Sequence, residues 1–404
     1  MNILISLILF FTATFSHLSS TENNRIRSFD KLWRSVKEQY PYFERKNIDW
    51  NEIYKKYRPF VERAREDEDY ILILRNMLAE LEDGHADIIK PPLNLAGIGA
   101  FIEEKDNRIF VSQVLQDSPA ETAGLKKGAE IIAVNDTLVS DYIYSLPTYF
   151  KKPRWRLRYL FFHGKINTSI VLTYKDPVEG IKRLEVKRLK KSYSHTETKI
   201  VFRKLEDEIG YIRIPVFTGK NIVKDFDKAL KELFNSKGLI IDIRSNPGGS
   251  SPISDMIVGR FIEDEIKIGS LLYKKPKYVQ GIGLKNYFDC IVKPRGKKYK
   301  NPVVILINSG CASACELFAI SMRDSGRAFL IGRKTAGMMG IPGIIKLHGN
   351  IIAQFPIGDF IRLNGESVEG NGIKPDFPVE NEEEDIEKAI KILKSKISNI
   401  KIKN

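Results

Sequence analysis

Three cysteines in 404 residues, Cys290, Cys311 and Cys315, are too few for a disulfide framework, and no histidines stand near them at metal-ligand spacing. They read as small buried thiols, and no metal site or cofactor is expected. Long apolar runs are as scarce. Only Ile3–Phe15, within MNILISLILFFTATFSHLSS, is continuous, and it is short for a membrane span. Followed by Ser19 and Ser20, it reads as a signal peptide, although no Lys or Arg precedes it. Residues 1–20 are therefore set aside, and the mature chain is expected to be exported without a stable membrane span. Clustered basic charge is also missing. The net charge is +14, but no basic stripe interleaves with aromatics, so nucleic acid is not an expected partner. The Lys-rich VKPRGKKYKN (292–301) reads as a solvated connection. No internal repeat or low-complexity segment occurs.

Hydrophobic residues make up 43% and charged residues 29%, and the length suits two or three domains, each with its own core. Residues 25–90 read as a helical domain. Phe29, Leu32, Trp33 and Val36 fall on one face after Ser28, a candidate cap, and Pro41 ends the pattern. A second helix is expected from Asp49 to the residue before Pro59. A third carries Leu74, Met77, Leu78 and Leu81 and runs towards Asp83-Gly84-His85, with Gly84 as its cap.

Residues 91–190 change to short β-type runs such as RIFVSQVL and EIIAVN between turn signals. The turn Gly97-Ile98-Gly99-Ala100, then Ser118-Pro119-Ala120, then Gly124-Leu125-Lys126-Lys127-Gly128 ahead of a strand resemble a PDZ domain. Such a glycine-rich turn can aim successive N–H groups at a carboxylate, which the resemblance implies is a peptide C-terminus. From 195 to 404 the runs IGYIRIPVF, GLIIDIRS, PVVILINS and AFLIGR alternate with helical patterns. They read as strands covered on both faces, an α/β core.

Two strand-to-helix junctions could carry chemistry. In Asp242-Ile243-Arg244-Ser245-Asn246-Pro247-Gly248-Gly249 paired glycines let backbone amides approach a ligand, or simply make a tight turn. In Gly310-Cys311-Ala312-Ser313-Ala314-Cys315-Glu316 the serine is either an exposed nucleophile at an elbow or an N-cap.

Taken in order, the helical domain, the PDZ-like domain, DIRSNPGG, NSGCASACELFAISMRDSGRAFLIGRKTAG and VEGNGIKPD resemble the C-terminal processing (tail-specific) serine peptidases. The resemblance implies a crotonase/ClpP-like mixed sheet with covering helices. It also implies Ser313 as nucleophile and an oxyanion hole from Ala314 with Gly248 or Gly249. The lysine of the processing branch should stand where Met338 does, so a Ser–Lys dyad is absent. The tricorn branch uses a histidine from the helical domain, which implies His85 as base and Glu369 as its partner. Without the resemblance His85 would read as a helix-terminal histidine. Gly84 replaces the serine that precedes the histidine in that branch.

The expected activity is that of an exported serine endopeptidase acting on peptides or unfolded protein tails through an acyl-enzyme. An inactive ligand- or peptide-binding protein on the same fold is the alternative, and nucleophilic chemistry at Cys315 is a third.

Overall fold

Phe29, Leu32 and Val36 are fully buried along a helix that spans 22–39 in a computed structural model describing residues 22–190, 199–279 and 283–403. The expected leader lies outside the described residues. The chain divides into two compact units, one through residue 195 plus 342–356, the other holding 196–341 and 357–404.

In the first unit the helical turns are already formed upstream of Ser28, so Ser28 is no cap. It is buried, and its Oγ accepts the His348 N–H at 3.1 Å. Asp49 does cap, accepting the N–H groups of Asn51 and Glu52 at 2.9 and 3.2 Å. The helix it opens, Trp50–Arg63, passes through Pro59. The expected stop fails because Pro59 is exposed, so water can satisfy the carbonyl that loses its donor. The helix Asp67–Ala79 buries Leu74, Met77 and Leu78.

Next comes an antiparallel sheet in the order Ala100–Lys105, Arg108–Val114, Glu130–Val134, Ser169–Asp176, Gly180–Lys187. Alternate residues such as Ile102, Val111, Ile131, Leu172 and Val186 form its core. Gly99 has φ +77°, and a Cβ there would stand 2.3 Å from the Ser118 Cβ, so only glycine fits. The Ala120 N–H donates to the Ile98 carbonyl at 2.9 Å. Two motif pieces twenty residues apart in sequence thus pack as one corner.

The second unit holds a six-stranded sheet ordered Phe377–Pro378, Ala328–Gly332, Val303–Ile307, Gly238–Asp242, Ile209–Arg213, Val201–Lys204. All neighbours are parallel except the last pair. The expected mixed α/β sheet is present, and its period of two is visible in Gly238–Asp242. Leu239 and Ile241 face the helices Ile222–Glu232, Ser251–Val258 and Ala314–Asp324, while Ile240 faces Asp385–Lys403. No helix among the described residues is long and apolar enough to cross a membrane. Because Gly238–Asp242 and Val303–Ile307 are parallel neighbours, the two glycine-rich junctions leave the sheet at the same edge.

A buried ion network fixes that edge. Arg244 donates to both oxygens of Asp242 at 2.9 and 2.6 Å and to Asp385 at 3.0 Å, while Arg333 reaches Asp385 at 2.7 Å. The Tyr211 hydroxyl adds a bond to Asp242 at 2.7 Å. Burial alone would raise the Asp242 carboxyl, but these donors hold it below the ordinary carboxylate range. Its contribution to stability is therefore present at neutral pH and lost as the pH falls through that lowered value. Replacing Arg244 leaves two carboxylates short of a counter-charge in the interior. Arg244→Met should lower the unfolding free energy in urea by about 3–5 kcal/mol.

Candidate active site

Asn246 sits fully buried between the two junctions. Its Nδ2 donates to the Ile214 carbonyl at 2.9 Å, its Oδ1 accepts the Gly248 N–H at 2.8 Å, and its carbonyl accepts the Ala312 N–H at 3.1 Å. Asn308 makes a second tie, its Oδ1 accepting the N–H groups of Ser245 at 2.7 Å and Gly310 at 3.0 Å. Both junctions are thereby registered to each other by side-chain amides, not by the strands alone.

Gly248 and Gly249 have φ of +96° and +129°. A Cβ on Gly248 would stand 2.6 Å from the Ala312 carbonyl oxygen and 2.9 Å from both the Ala314 nitrogen and the Ser313 Cβ. The glycine turn therefore lies directly against the serine turn. The Gly248 N–H is occupied by Asn246. Among the described residues, the N–H groups of Gly249 and Ala314 have no hydrogen-bond acceptor.

Ser313 precedes the helix Ala314–Asp324 with φ +55° and ψ −123°, a conformation that costs a non-glycine residue about 1–3 kcal/mol. It is half-buried, whereas Ala312, Ala314 and Cys315 beside it are buried. Its N–H is shared between the Met338 carbonyl at 2.9 Å and Glu316 Oε2 at 3.1 Å. Serine at a helix start is ordinary, but a serine held in this region by two acceptors is not simply a cap.

Glu316 is the acceptor on which these turns converge. Fully buried, it takes the Thr335 hydroxyl at 2.5 Å and the N–H groups of Gly337 at 2.8 Å and Met338 at 2.9 Å, besides that of Ser313. Burial pushes its carboxyl up, and the four donors oppose that shift. Glu369, also buried, takes the next two amides, Met339 at 2.7 Å and Gly340 at 3.0 Å, both on Oε2. Two carboxylates thus hold four consecutive backbone amides, 337 to 340. Gly337 is locked from the other side, since a Cβ there would meet the Gly372 nitrogen at 2.7 Å. The Gly370 N–H donates to the Gly337 carbonyl at 2.8 Å. The motifs KTAG and EGNGIKPD are two halves of one clasp.

Ser313, Gly248, Gly249, Ala314 and Glu369 all stand in the second unit, and His85 stands in the first. His85 follows the helix Asp67–Ala79 by a turn in which Glu82, at φ +47°, is the left-handed residue, not Gly84 as expected. There the Glu82 Cβ crowds its own backbone carbonyl, a local cost of about 1–2 kcal/mol that the turn accepts. The carboxylate beside His85 in its own unit is Asp83. Asp83 accepts the His85 N–H at 2.9 Å, the Tyr40 hydroxyl at 3.0 Å and Lys46 Nζ at 3.2 Å. His85 Nδ1 lies 3.9 Å from Asp83 Oδ1, beyond a hydrogen bond. Burial pushes the imidazole below its ordinary pKa, so it is neutral at pH 7.

Other readings fare differently. The sulfurs of Cys311 and Cys315 both approach the Ile243 carbonyl, at 3.0 and 3.6 Å. Burial drives the Cys315 thiol well above its ordinary value, which removes the thiolate a cysteine nucleophile needs. In the PDZ-like turn, among the described residues, the N–H groups of Gly97, Ile98 and Gly99 have no acceptor. The Ala100 strand beside them, Ala100–Lys105, is an edge of its sheet.

A model of peptidase family S41 matches residues 208–379, the tricorn protease C1 domain matches 22–79, and the PDZ domain matches 88–143. The carboxy-terminal processing protease CtpA of Bacillus subtilis (strain 168) is 28% identical over 289 residues, covering 70% of this chain and 56% of the relative. The tail-specific protease of Haemophilus influenzae is 27% identical over 382 residues, covering 86% of this chain and 52% of the relative. The chain spans about half the length of these curated relatives. Mature CPAF has the same fold at a TM-score of 0.72 and 14% identity, covering 94% of this chain and 98% of that one. The photosystem II D1 C-terminal processing protease matches at 0.58 and 20% identity, covering 91% and 97%.

Sequence reasoning did not single out Glu316, Asn246 or Asn308. For Glu316 a signal was present, because a serine three residues before a glutamate at a helix start is a capping-box spacing. A Glu316→Gln change keeps the shape but turns an NH2 group towards backbone donors. It should lower unfolding free energy by about 1–3 kcal/mol and slow fluorophosphonate labelling of Ser313, read by intact mass, by at least about tenfold.

Proposed function

The chain belongs to peptidase family S41, with tricorn C1 and PDZ domains, and we propose that it is a serine endopeptidase cleaving peptides or unfolded protein tails. One observation carries this reading. The strained Ser313 lies against the glycine turn, with two unclaimed N–H groups, those of Ala314 and Gly249, at the same place. A serine held off its relaxed conformation is presented to substrate, and fixed donors need no reorganisation when an oxyanion forms.

In the proposed reaction Ser313 Oγ attacks the scissile carbonyl carbon while His85 takes its proton. The carbonyl oxygen gains the negative charge and accepts hydrogen bonds from Ala314 and Gly249. Collapse breaks the C–N bond, and the proton on His85 passes to the leaving amine. Water, deprotonated by the same imidazole, then attacks the acyl carbon, the bond to Ser313 Oγ breaks, and the imidazolium returns its proton to Oγ. The sequence pattern and the lowered pKa of His85 support its role, since a base must be neutral to begin the cycle. Glu369 is the proposed third member. Met338 offers no proton acceptor on its side chain, so the lysine route of the processing branch is not available here. Export, proposed on the apolar N-terminal segment, would place the activity outside the cytoplasm.

The PDZ domain is proposed to grip a substrate C-terminus, which the three unpaired amides of Gly97–Gly99 support. A peptide with a free C-terminus should then be cut at least about threefold faster at low concentration than its amidated form, and equal rates would argue against carboxylate capture.

Ser313→Ala and His85→Ala should each reduce casein hydrolysis by about 1,000-fold or more, whereas Met338→Ala should retain it. Full activity in His85→Ala would require another base. If the unsubstituted chain shows no Ser313-dependent hydrolysis, the chain is a binding protein on this fold.

A further inference from the structure

Two cavities among the described residues set charges of both signs against each other. In the first unit a cavity of ≈ 580 Å³ sets Lys46 and Lys152 against Asp49, Glu52, Glu80 and Glu82. In the second unit one of ≈ 380 Å³ sets Lys300 and Arg327 against Glu263 and Asp264. A third is different. A cavity of ≈ 510 Å³ is lined by Phe234, Asn235, Lys297, Lys298, Lys300 and Asn301, together with the buried Tyr299, and no carboxylate lines it.

Its floor is built. The Tyr299 hydroxyl and Asn301 Nδ2 both donate to the Ser236 carbonyl, at 2.9 and 2.8 Å, which fastens the 292–301 connection to the turn after Phe234. Lys297 Nζ lies 4.3 Å from the Phe234 ring centroid. Lys298 Nζ donates to the Gly296 carbonyl at 2.9 Å, and an ammonium retains further donors after one such bond. Lys300 meets Glu263 at 3.0 Å, but both side chains are largely exposed, and such a pair holds weakly. Among the described residues, neither Lys297 nor Lys298 is paired with a carboxylate.

Its position separates it from the catalytic edge. Asn235 precedes the strand Gly238–Asp242 and Asn301 precedes Val303–Ile307, whereas the two chemical junctions follow those strands. Five residues of strand put the cavity about 16 Å from them, at the opposite edge of the sheet. A ligand there leaves Ser313 open.

We propose that this cavity is an exosite for a carboxylate-rich polypeptide segment, a run of Asp and Glu on a substrate or partner. Three ammonium groups and two side-chain amides can donate to several carboxylates spaced along a chain. The face of Phe234 is already covered by Lys297, so a nucleobase finds no stacking platform there.

The test measures binding, not cleavage, and so stands apart from the peptidase reading. A fluorescein-labelled Glu/Asp decapeptide and its Gln/Asn counterpart would be titrated by anisotropy into full-length Ser313→Ala chain at 50 and 500 mM NaCl. The acidic peptide should bind at least about tenfold more tightly than its neutral counterpart at low salt and lose most of that margin at high salt. Lys297→Gln/Lys298→Gln/Lys300→Gln should abolish the preference, while Lys187→Gln/Lys190→Gln, in the first unit, should keep it. Equal binding of the two peptides, or an unchanged preference in the triple variant, overturns the proposal. Sedimentation with vesicles of phosphatidylserine and phosphatidylcholine is the second arm. Vesicle capture that the triple variant loses, without peptide preference, would make the site a lipid contact and overturn it equally.

Discussion

Four donors converge on the carboxylate of Glu316, and the conformation around Ser313 depends on that convergence. A buried carboxylate is expensive to leave unsatisfied, so the chain around it has little freedom to relax. Through this one group the start of the helix Ala314–Asp324 is tied to the 335–338 segment. That segment in turn presents the Met338 carbonyl to the Ser313 N–H. The strain at Ser313 persists because its surroundings over-determine it.

Glu369 extends the same device by one pair of amides, and the glycines make it sterically feasible. Gly337 and Gly372 allow two loops to approach where any Cβ would collide with backbone, and Gly248 does the same between the two junctions. The clasp has a second consequence. The Ser313 and Gly248 amides are consumed in holding the turn, whereas among the described residues those of Gly249 and Ala314 have no acceptor.

Much of this architecture was legible in the sequence. The stripe of Phe29, Leu32 and Val36, the branched runs of the α/β strands and the glycine pairs each follow from local periodicity or sterics. Local signals failed where burial or exposure reversed their meaning. Pro59 does not stop its helix because its face is wet. Ser28 does not cap because its hydroxyl serves His348, some 320 residues away in sequence. Glu82, not Gly84, turns the chain before His85, at the local steric cost that any left-handed non-glycine residue carries.

The sequence by itself determined the residue types the site can use: a serine among small neighbours, a histidine after a leucine-rich helix, glycines where backbones must touch, and methionine where a lysine would sit. Those are properties of side-chain chemistry and local spacing, which the chain carries whether folded or not. Only the tertiary structure decided which amides are spent and which are free, and that Glu316 holds the Ser313 turn while Glu369 takes the amides of Met339 and Gly340. It also placed Asp83 beside His85. Hydrogen bonds pair atoms from distant segments and each donor is used only where an acceptor arrives, so that allocation exists only once the chain is packed.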